Sequence, residues 1–244
     1  MVEYFQTATC RMRFIANVLD DPSVDDCGVC DNCSHTSMAR PLPIDLVAEA
    51  ERFLLKRPIA LTPKKMYFDQ QQGSRHKIPH GERIEEGRVL SIWGDAGWGQ
   101  LVREAKQSTG RFSDRLVEAM AELLHAWAPD PAPHWVTCVP SLRYPELVPA
   151  FAERVAGRLG LPYVVVLAKP DERPAQRDQL NALHQQRNVE GAFQSVGRLP
   201  PGPCLLIDDI ADSAWTMTEV GRVLRRAGAG VVYPVALSAW ARRD

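Results

Sequence analysis

Four of the six cysteines fall within the first 33 residues, in the pattern Cys10-x16-Cys27-x2-Cys30-x2-Cys33, and no other feature restricts the fold of this chain as tightly. Thiolates two residues apart can turn back on one ion, and a fourth sulfur from elsewhere closes the tetrahedron that Zn²⁺ prefers. Gly28 permits the tight path between the first two clustered sulfurs. Four protein ligands fill the shell, so such a metal is structural rather than catalytic. The alternatives are buried free thiols or a redox pair at Cys27 and Cys30, with His35 as a substitute ligand. Met1-Val2-Glu3-Tyr4 lacks the basic patch and apolar core of a secretion signal. No apolar run approaches the ~20 residues that span a bilayer. A cytoplasmic protein without a membrane partner is expected, and scattered disulfides are not.

Tyr4, Phe5, Ala8, Met12, Ile15 and Leu19 recur at helical spacing, which predicts a helix that carries Cys10 and ends at Asp20-Asp21-Pro22-Ser23. Beyond the knuckle, Met38 to Pro43 reads as a linker and Ile44 to Lys56 as a helix ended by Arg57-Pro58. Ile59 to Phe68 is strand or irregular, Gln70 to Arg75 a loop, Arg88 to Trp93 a short strand and Gly94 to Gly99 a turn. Helices are predicted over Gln100 to Gln107 and, behind a Ser113 cap, over Asp114 to Trp127.

A formal net charge of −1 excludes a uniformly basic nucleic-acid binder. The stretch from Lys56 to Arg115 nevertheless holds twelve Lys and Arg against seven Asp and Glu, which either faces phosphates or forms a solvated surface. Lys64, Lys65, Arg75, Lys77 and Arg111 are the candidates there for phosphate contact. Trp93 and Trp98 either stack on bases or sit in a core.

From His134 the pattern changes. Trp135 to Val139, Tyr163 to Ala168, Pro203 to Ile207 and Val231 to Leu237 are continuous apolar runs, separated by predicted helices over Leu147 to Leu159 and Met217 to Ala227, the latter ended by Gly228. Such runs signal a parallel sheet covered on both faces, with ligands at the carboxyl ends of its strands. The third run emerges into Asp208-Asp209-Ile210-Ala211-Asp212-Ser213-Ala214-Trp215-Thr216, two carboxylates followed by a small-residue loop that opens a helix. Backbone N–H groups of such a loop can hold a phosphate while the carboxylates hold sugar hydroxyls.

Thr9-Cys10-Arg11-Met12-Arg13, followed by Asp26-Cys27-Gly28-Val29-Cys30-Asp31-Asn32-Cys33, resembles the zinc module of RecQ-family DNA helicases, in which a C-R-R segment precedes a C-G-x-C-D-x-C knuckle. The resemblance implies a zinc-stabilised platform beside an ATP-dependent helicase motor, with Arg11 and Arg13 as DNA-contact candidates, although Met12 stands at the second arginine. It also implies a nucleoid-associated role in DNA unwinding, repair or recombination. No G-x-x-x-x-G-K-[ST] loop occurs in the sequence, so the ATP site belongs to a motor outside these residues. The chain is therefore expected to be the carboxy-terminal part of a longer protein that carries the motor in cis, with a naturally separate protein as the alternative. RecQ proteins often have a winged helix after the zinc module; the order of elements here fits either a divergent DNA-contacting subdomain or a structural bridge.

The Asp208–Thr216 loop resembles the phosphoribosyl pyrophosphate (PRPP) loop of type I phosphoribosyltransferases, D-D-V-x-T-T-G-x-T, and of the ComF-like subgroup in particular. Val139-Pro140, Gln176, Leu180 and Arg187-Asn188-Val189-Glu190-Gly191-Ala192-Phe193 support that likeness. It implies Asp208 and Asp209 on the ribose hydroxyls, and Ser213, Thr216 and loop N–H groups on the 5′-phosphate, with Mg²⁺. Asp212 stands at the first threonine, Ala214 at the glycine, and Trp215 puts a large ring beside the site. These departures favour a retained scaffold used for nucleic-acid or protein interaction; an active PRPP-dependent transferase is the alternative. The expected fold is α/β: a small helical four-cysteine zinc module over 1–40, a mixed α+β segment over 41–130, and a phosphoribosyltransferase-like parallel-sheet domain over 131–244.

Overall fold

Consecutive side chains of a strand point to opposite faces, so an unbroken apolar run such as Cys204-Leu205-Leu206-Ile207 needs cover on both sides. In the computed structural model, which describes residues 2–36, 43–47, 49, 53, 59–69, 72–170 and 182–240, that run lies inside a five-stranded sheet. In chain order the strands are β1 (Ile59–Leu61), β2 (Met66–Asp69), β3 (Ser74–Lys77), β4 (Gly87–Ile92), β5 (Trp135–Cys138), β6 (Leu167–Ala168), β7 (Gln194–Ser195), β8 (Cys204–Ala211) and β9 (Val232–Ala239). The labelled helices are α1 (Val2–Gln6), α2 (Arg11–Val18), α3 (Asp31–Ser34), α4 (Trp98–Glu104), α5 (Asp114–Trp127), α6 (Leu147–Leu159), α7 (Ala182–Val189) and α8 (Trp215–Arg226). The chain divides into two units, residues 1–50 and 51–244.

The sheet belongs to the second unit and runs β1-β4-β9-β8-β5. Its neighbours are parallel except for β1, which is antiparallel to β4. Cys138 pairs with Ile207 and Ile207 with Val235, which aligns the carboxyl ends of β5, β8 and β9. Leu205, Ile207, Val235 and Leu237 face one core, filled by Phe112, Leu116 and Met120 near and on α5 and by Phe151 and Val155 on α6. Cys204, Leu206, Val232 and Ala236 face the other, filled by Met217, Val220 and Leu224 of α8 and by Phe193.

The middle segment is not a body apart from this sheet. Both β1 and β4 come from it, and β4 pairs directly with β9, so the expected break at 130/131 does not separate two domains. The physical reason is that β4 buries Val89 and Leu90 on opposite faces and finds its parallel partner far along the chain. The predicted strand over Tyr163 to Ala168 is mostly irregular: Tyr163 makes an isolated bridge to Val136, and Leu167–Ala168 pairs with Gln194–Ser195 in a separate ribbon. Residues 44–47, 49 and 53 are helical as expected, whereas Met38 to Leu42 and Leu54 to Pro58 lie outside the described residues. Of the loop expected over Gln70 to Arg75, Gln70 and Gln71 lie outside the described residues, Gln72 and Gly73 form a turn, and Ser74 and Arg75 belong to β3, with Arg75 opposite Phe68.

A proline in a central strand removes a ladder donor. Pro234 occupies such a place in β9. Its partner across the gap is Gly87, where a Cβ would meet the Pro234 carbonyl oxygen at 1.7 Å and the proline ring at 2.8 Å. The absence of a side chain at Gly87 is therefore what lets β4 lie against β9.

Candidate functional site

Within the first unit, the helix expected to run from Tyr4 to Leu19 is two helices, and Cys10 is the cap residue in front of α2 rather than part of a helix. Asn32 explains the break: its Nδ2 donates to the carbonyls of Thr7 (2.8 Å) and Thr9 (2.7 Å), acceptors that a continuous helix would use itself. Gly28 takes a left-handed φ of 69°, and the knuckle closes into α3, where the Cys33 and Ser34 N–H groups donate to Cys30 O.

This path brings the four sulfurs of Cys10, Cys27, Cys30 and Cys33 within 4.8 Å of one another. Zn–S bonds of about 2.3 Å give a tetrahedron with edges of about 3.8 Å, so the four thiols fit zinc with small adjustments. The Cys27 N–H donates to Cys10 Sγ (3.2 Å) and the Cys30 N–H to Cys27 Sγ (3.3 Å), so backbone groups of the knuckle hold both sulfurs in place. Hydrogen bonds from Arg13 and Cys27 N–H groups hold the Cys10 thiol down at about 6. The Cys33 thiol, beside the Cys30 sulfur, is pushed up to about 12, and zinc must displace its proton. His35 is exposed and stands outside the cluster. Among residues 3–36, Cys10 alone is buried, so the metal centre takes the place of a core.

Arg11, a DNA-contact candidate, is committed within the module: Nε and Nη2 grip Asp31 at 2.6 and 2.8 Å, and Nη1 donates to Tyr4 O. This bidentate pair ties α2 to the knuckle. Arg13 pairs with Asp26 at 3.0 Å and remains half-exposed.

The second site lies in the sheet unit. Asp208 and Asp209 are both buried near the carboxyl end of β8. Asp208 Oδ1 accepts the Asp209 N–H (2.8 Å), and burial, with the neighbouring Asp209, pushes the Asp208 carboxyl well up. Asp209 Oδ2 accepts from Lys106 Nζ at 2.5 Å. Lys106 has no local signature in the sequence; it stands in a π-turn over Ala105–Thr109 that continues α4, closed by Gly110 N–H on Ala105 O. After Ala211 the chain bends through Asp212 and Ser213, and Ala214 caps α8 with a left-handed φ of 61°. Thr218 secures that turn, its N–H and Oγ1 both donating to Ala214 O (2.9 and 2.8 Å). In turn Thr218 Oγ1 accepts the Lys64 N–H (2.9 Å).

Lys64 is thus brought to the loop. Its Nζ lies 5.8 Å from the centre of the Trp215 ring, and its charge acts on Asp212 against the desolvation that raises that carboxyl. Trp215 does not stand open beside the site as expected. Its ring is buried in the core beneath α8, because its place in the first turn of α8 turns it toward the sheet. The loop keeps the conformation that a glycine would favour, at the cost of an alanine in the left-handed region, about 1 kcal/mol. Ala214→Gly is expected to raise stability by about 0.5–1 kcal/mol, or about 2 °C in Tm. Thermal and urea unfolding measure it, and a lowered midpoint would mean that the turn is not left-handed in solution.

The remaining basic candidates are not gathered at this loop. Lys65, Arg75 and Lys77 are exposed on and before the β2–β3 hairpin, and Arg111 pairs with Asp114 at the start of α5. Trp93 and Trp98 pack against the first core, with Trp240 on Trp93 and Arg115 over Trp98. Gln186 of α7, which no motif in the sequence singles out, brackets Phe68 with two 2.8 Å bonds to its N–H and carbonyl. Gln176 and Leu180 lie outside the described residues. An open concavity of ≈ 770 Å³ lies between residues 195–201 and Ala227-Gly228, at the opposite end of β8 from the diacid. Among the described residues no helix is long and apolar enough to cross a membrane.

Residues 1–34 match the protein-family profile described as RecQ zinc-binding. A search of curated proteins finds no match. Among solved structures, adenine phosphoribosyltransferase from Leishmania tarentolae matches with a TM-score of 0.38 and 14% identity, over 63% of this chain and 91% of that one. The Saccharomyces cerevisiae enzyme matches with a TM-score of 0.35 and 17% identity, over 51% and 68%. That of Thermoanaerobacter pseudethanolicus matches with a TM-score of 0.32 and 13% identity, over 79% and 99%. Overlap this loose assigns neither a function nor a site.

Proposed function

We propose that this chain is an accessory part of a RecQ-like, ATP-dependent DNA helicase, working beside a motor that these residues do not include. The observation that carries the reading is the convergence of four cysteine sulfurs within 4.8 Å on a segment that matches the RecQ zinc-binding profile. In this reading zinc is structural, and the sheet unit contributes contacts to nucleic acid rather than catalysis. Commitment of Arg11 to Asp31 moves the DNA-contact role away from it and toward the exposed Arg75 and Lys77 of the hairpin. The test is binding of the zinc-loaded chain to single-stranded and duplex oligonucleotides across a salt series. Affinity should fall steeply with salt, and Arg75→Ala and Lys77→Ala should each lower the slope by about 1. Absence of binding at low salt would remove the direct DNA role.

A second reading, a PRPP-type sugar-phosphate site, is favoured by one observation: the loop after β8 keeps its left-handed turn and has Lys64 beside it, which offsets the charge of Asp212. Saturable PRPP binding to the intact chain, weakened in Asp209→Ala, would support it. An unaltered Tm at saturating PRPP would end it.

A further inference from the structure

We infer that the ammonium of Lys106 takes the place of a divalent cation at the Asp208–Asp209 pair, so that this diacid holds no Mg²⁺ and a sugar phosphate bound beside it needs none. The inference deepens the sugar-phosphate reading and rests on it for the ligand, although not for the metal.

A hard cation such as Mg²⁺ requires near-octahedral oxygen ligands and usually one or two free carboxylates. Neither carboxylate is free here. Asp209 Oδ2 is held by Lys106 Nζ at 2.5 Å, with both side chains largely shielded from water. Asp208 Oδ1 accepts the Asp209 N–H, and burial favours the neutral form of that carboxyl. Among the described residues, the four cysteines are the only group of three or more His, Cys, Asp and Glu side chains placed to share an ion. Lys106 already offsets the charge of Asp209, so a second cation would meet less compensating charge.

Lys106 is held in place by more than the ion pair. It stands in the π-turn over Ala105–Thr109, a distortion that recurs at functional sites, and its Nζ lies 5.4 Å from the centre of the Tyr144 ring. An ammonium has three N–H donors and one suffices for Asp209, which leaves donor capacity for a hydroxyl or phosphate oxygen. A cation fixed in the chain would then supply the positive charge that a metal brings elsewhere.

The experiment uses the intact zinc-loaded chain with Mn²⁺ alone as the probe, read by the resonance of free Mn²⁺. The parent protein should leave a millimolar Mn²⁺ signal unchanged, while Lys106→Met and Lys106→Gln, which free the Asp209 carboxylate, should bind at least tenfold more tightly. Lys106→Arg, which keeps the charge, should behave as the parent. Stoichiometric Mn²⁺ binding by the parent that is lost in Asp209→Asn would overturn the inference, as would folded Lys106→Met and Lys106→Gln proteins with no gain. A second arm titrates PRPP by calorimetry in Mg²⁺-free and Mg²⁺ buffers. Affinities within about twofold support the inference and a tenfold gain with Mg²⁺ overturns it. No heat in either buffer would sink the sugar-phosphate reading instead, and the Mn²⁺ arm still decides the metal question.

Discussion

Removing zinc from the intact chain is expected to unfold residues 2–36 and leave the five-stranded sheet folded. Among residues 3–36 no apolar core holds the module: Cys10 alone is buried, and Phe5, Met12, Val18, Leu19 and Val29 are exposed. Segments this short rarely stand without a metal or disulfides. Zinc bound by four thiolates contributes on the order of 10 kcal/mol to such a fold, far more than the Arg11–Asp31 pair can replace. Cys30→Ser should do the same, since it removes a ligand while leaving in place the backbone carbonyl that starts α3. Amide exchange measures the effect by segment. Protection should vanish in α2 and persist in β8 and β9; protection of α2 that survives complete metal loss would show that side-chain packing holds the module.

Gly87→Ala is expected to unfold the sheet unit, at a cost of about 4 kcal/mol or more. The new Cβ would lie 1.7 Å from the Pro234 carbonyl oxygen and 2.7 Å from its carbon. Neither can retreat, because Pro234 sits in the central strand in register with Leu206 of β8. A side-chain tip could turn aside, but backbone on backbone leaves strand separation as the remedy. Domains of this size have about 5–15 kcal/mol in total, so the loss should be visible as poor solubility or a collapsed urea midpoint. Gly157→Ala is the control. It lies on the exposed side of α6 with nothing within 4 Å of the added methyl, and it should stabilise by up to about 1 kcal/mol. If the two variants unfolded at the same midpoint, the close approach of β4 and β9 would be wrong.

The features legible in the sequence are those whose cause is local. Cysteine spacing announces the metal site because ligand geometry acts over a few residues, and the bounds of α5 and α6 follow from their own periodicity, although Ser113 makes no capping hydrogen bond at the start of α5. The apolar runs at 135–138, 204–207 and 232–237 announce a sheet covered on both faces. The misread features depend on partners far away. A strand over Arg88 to Trp93 is predictable, but its place beside β9 depends on Val235, 147 positions from Arg88 by number. The split between α1 and α2 depends on Asn32, and nothing near Thr7 announces it. Lys106 meets Asp209 across 103 positions, and the π-turn that places it leaves no pattern in the residues themselves. Trp215, read as an obstruction beside the loop, belongs to the core because the first turn of α8 faces the sheet.

The strand order has a further consequence during synthesis. Of the five strands of this sheet, residues 232–239 are the last to leave the ribosome, yet they lie between β4 and β8. Until they emerge, β1–β4 and β5–β8 are two unjoined ribbons, each with a bare parallel edge able to recruit another chain. The sheet cannot close progressively from its amino terminus; it closes only once Val232–Ala239 has been made. A transcript truncated between Ala211 and Val232 would therefore yield two aggregation-prone ribbons rather than a shorter version of the same fold.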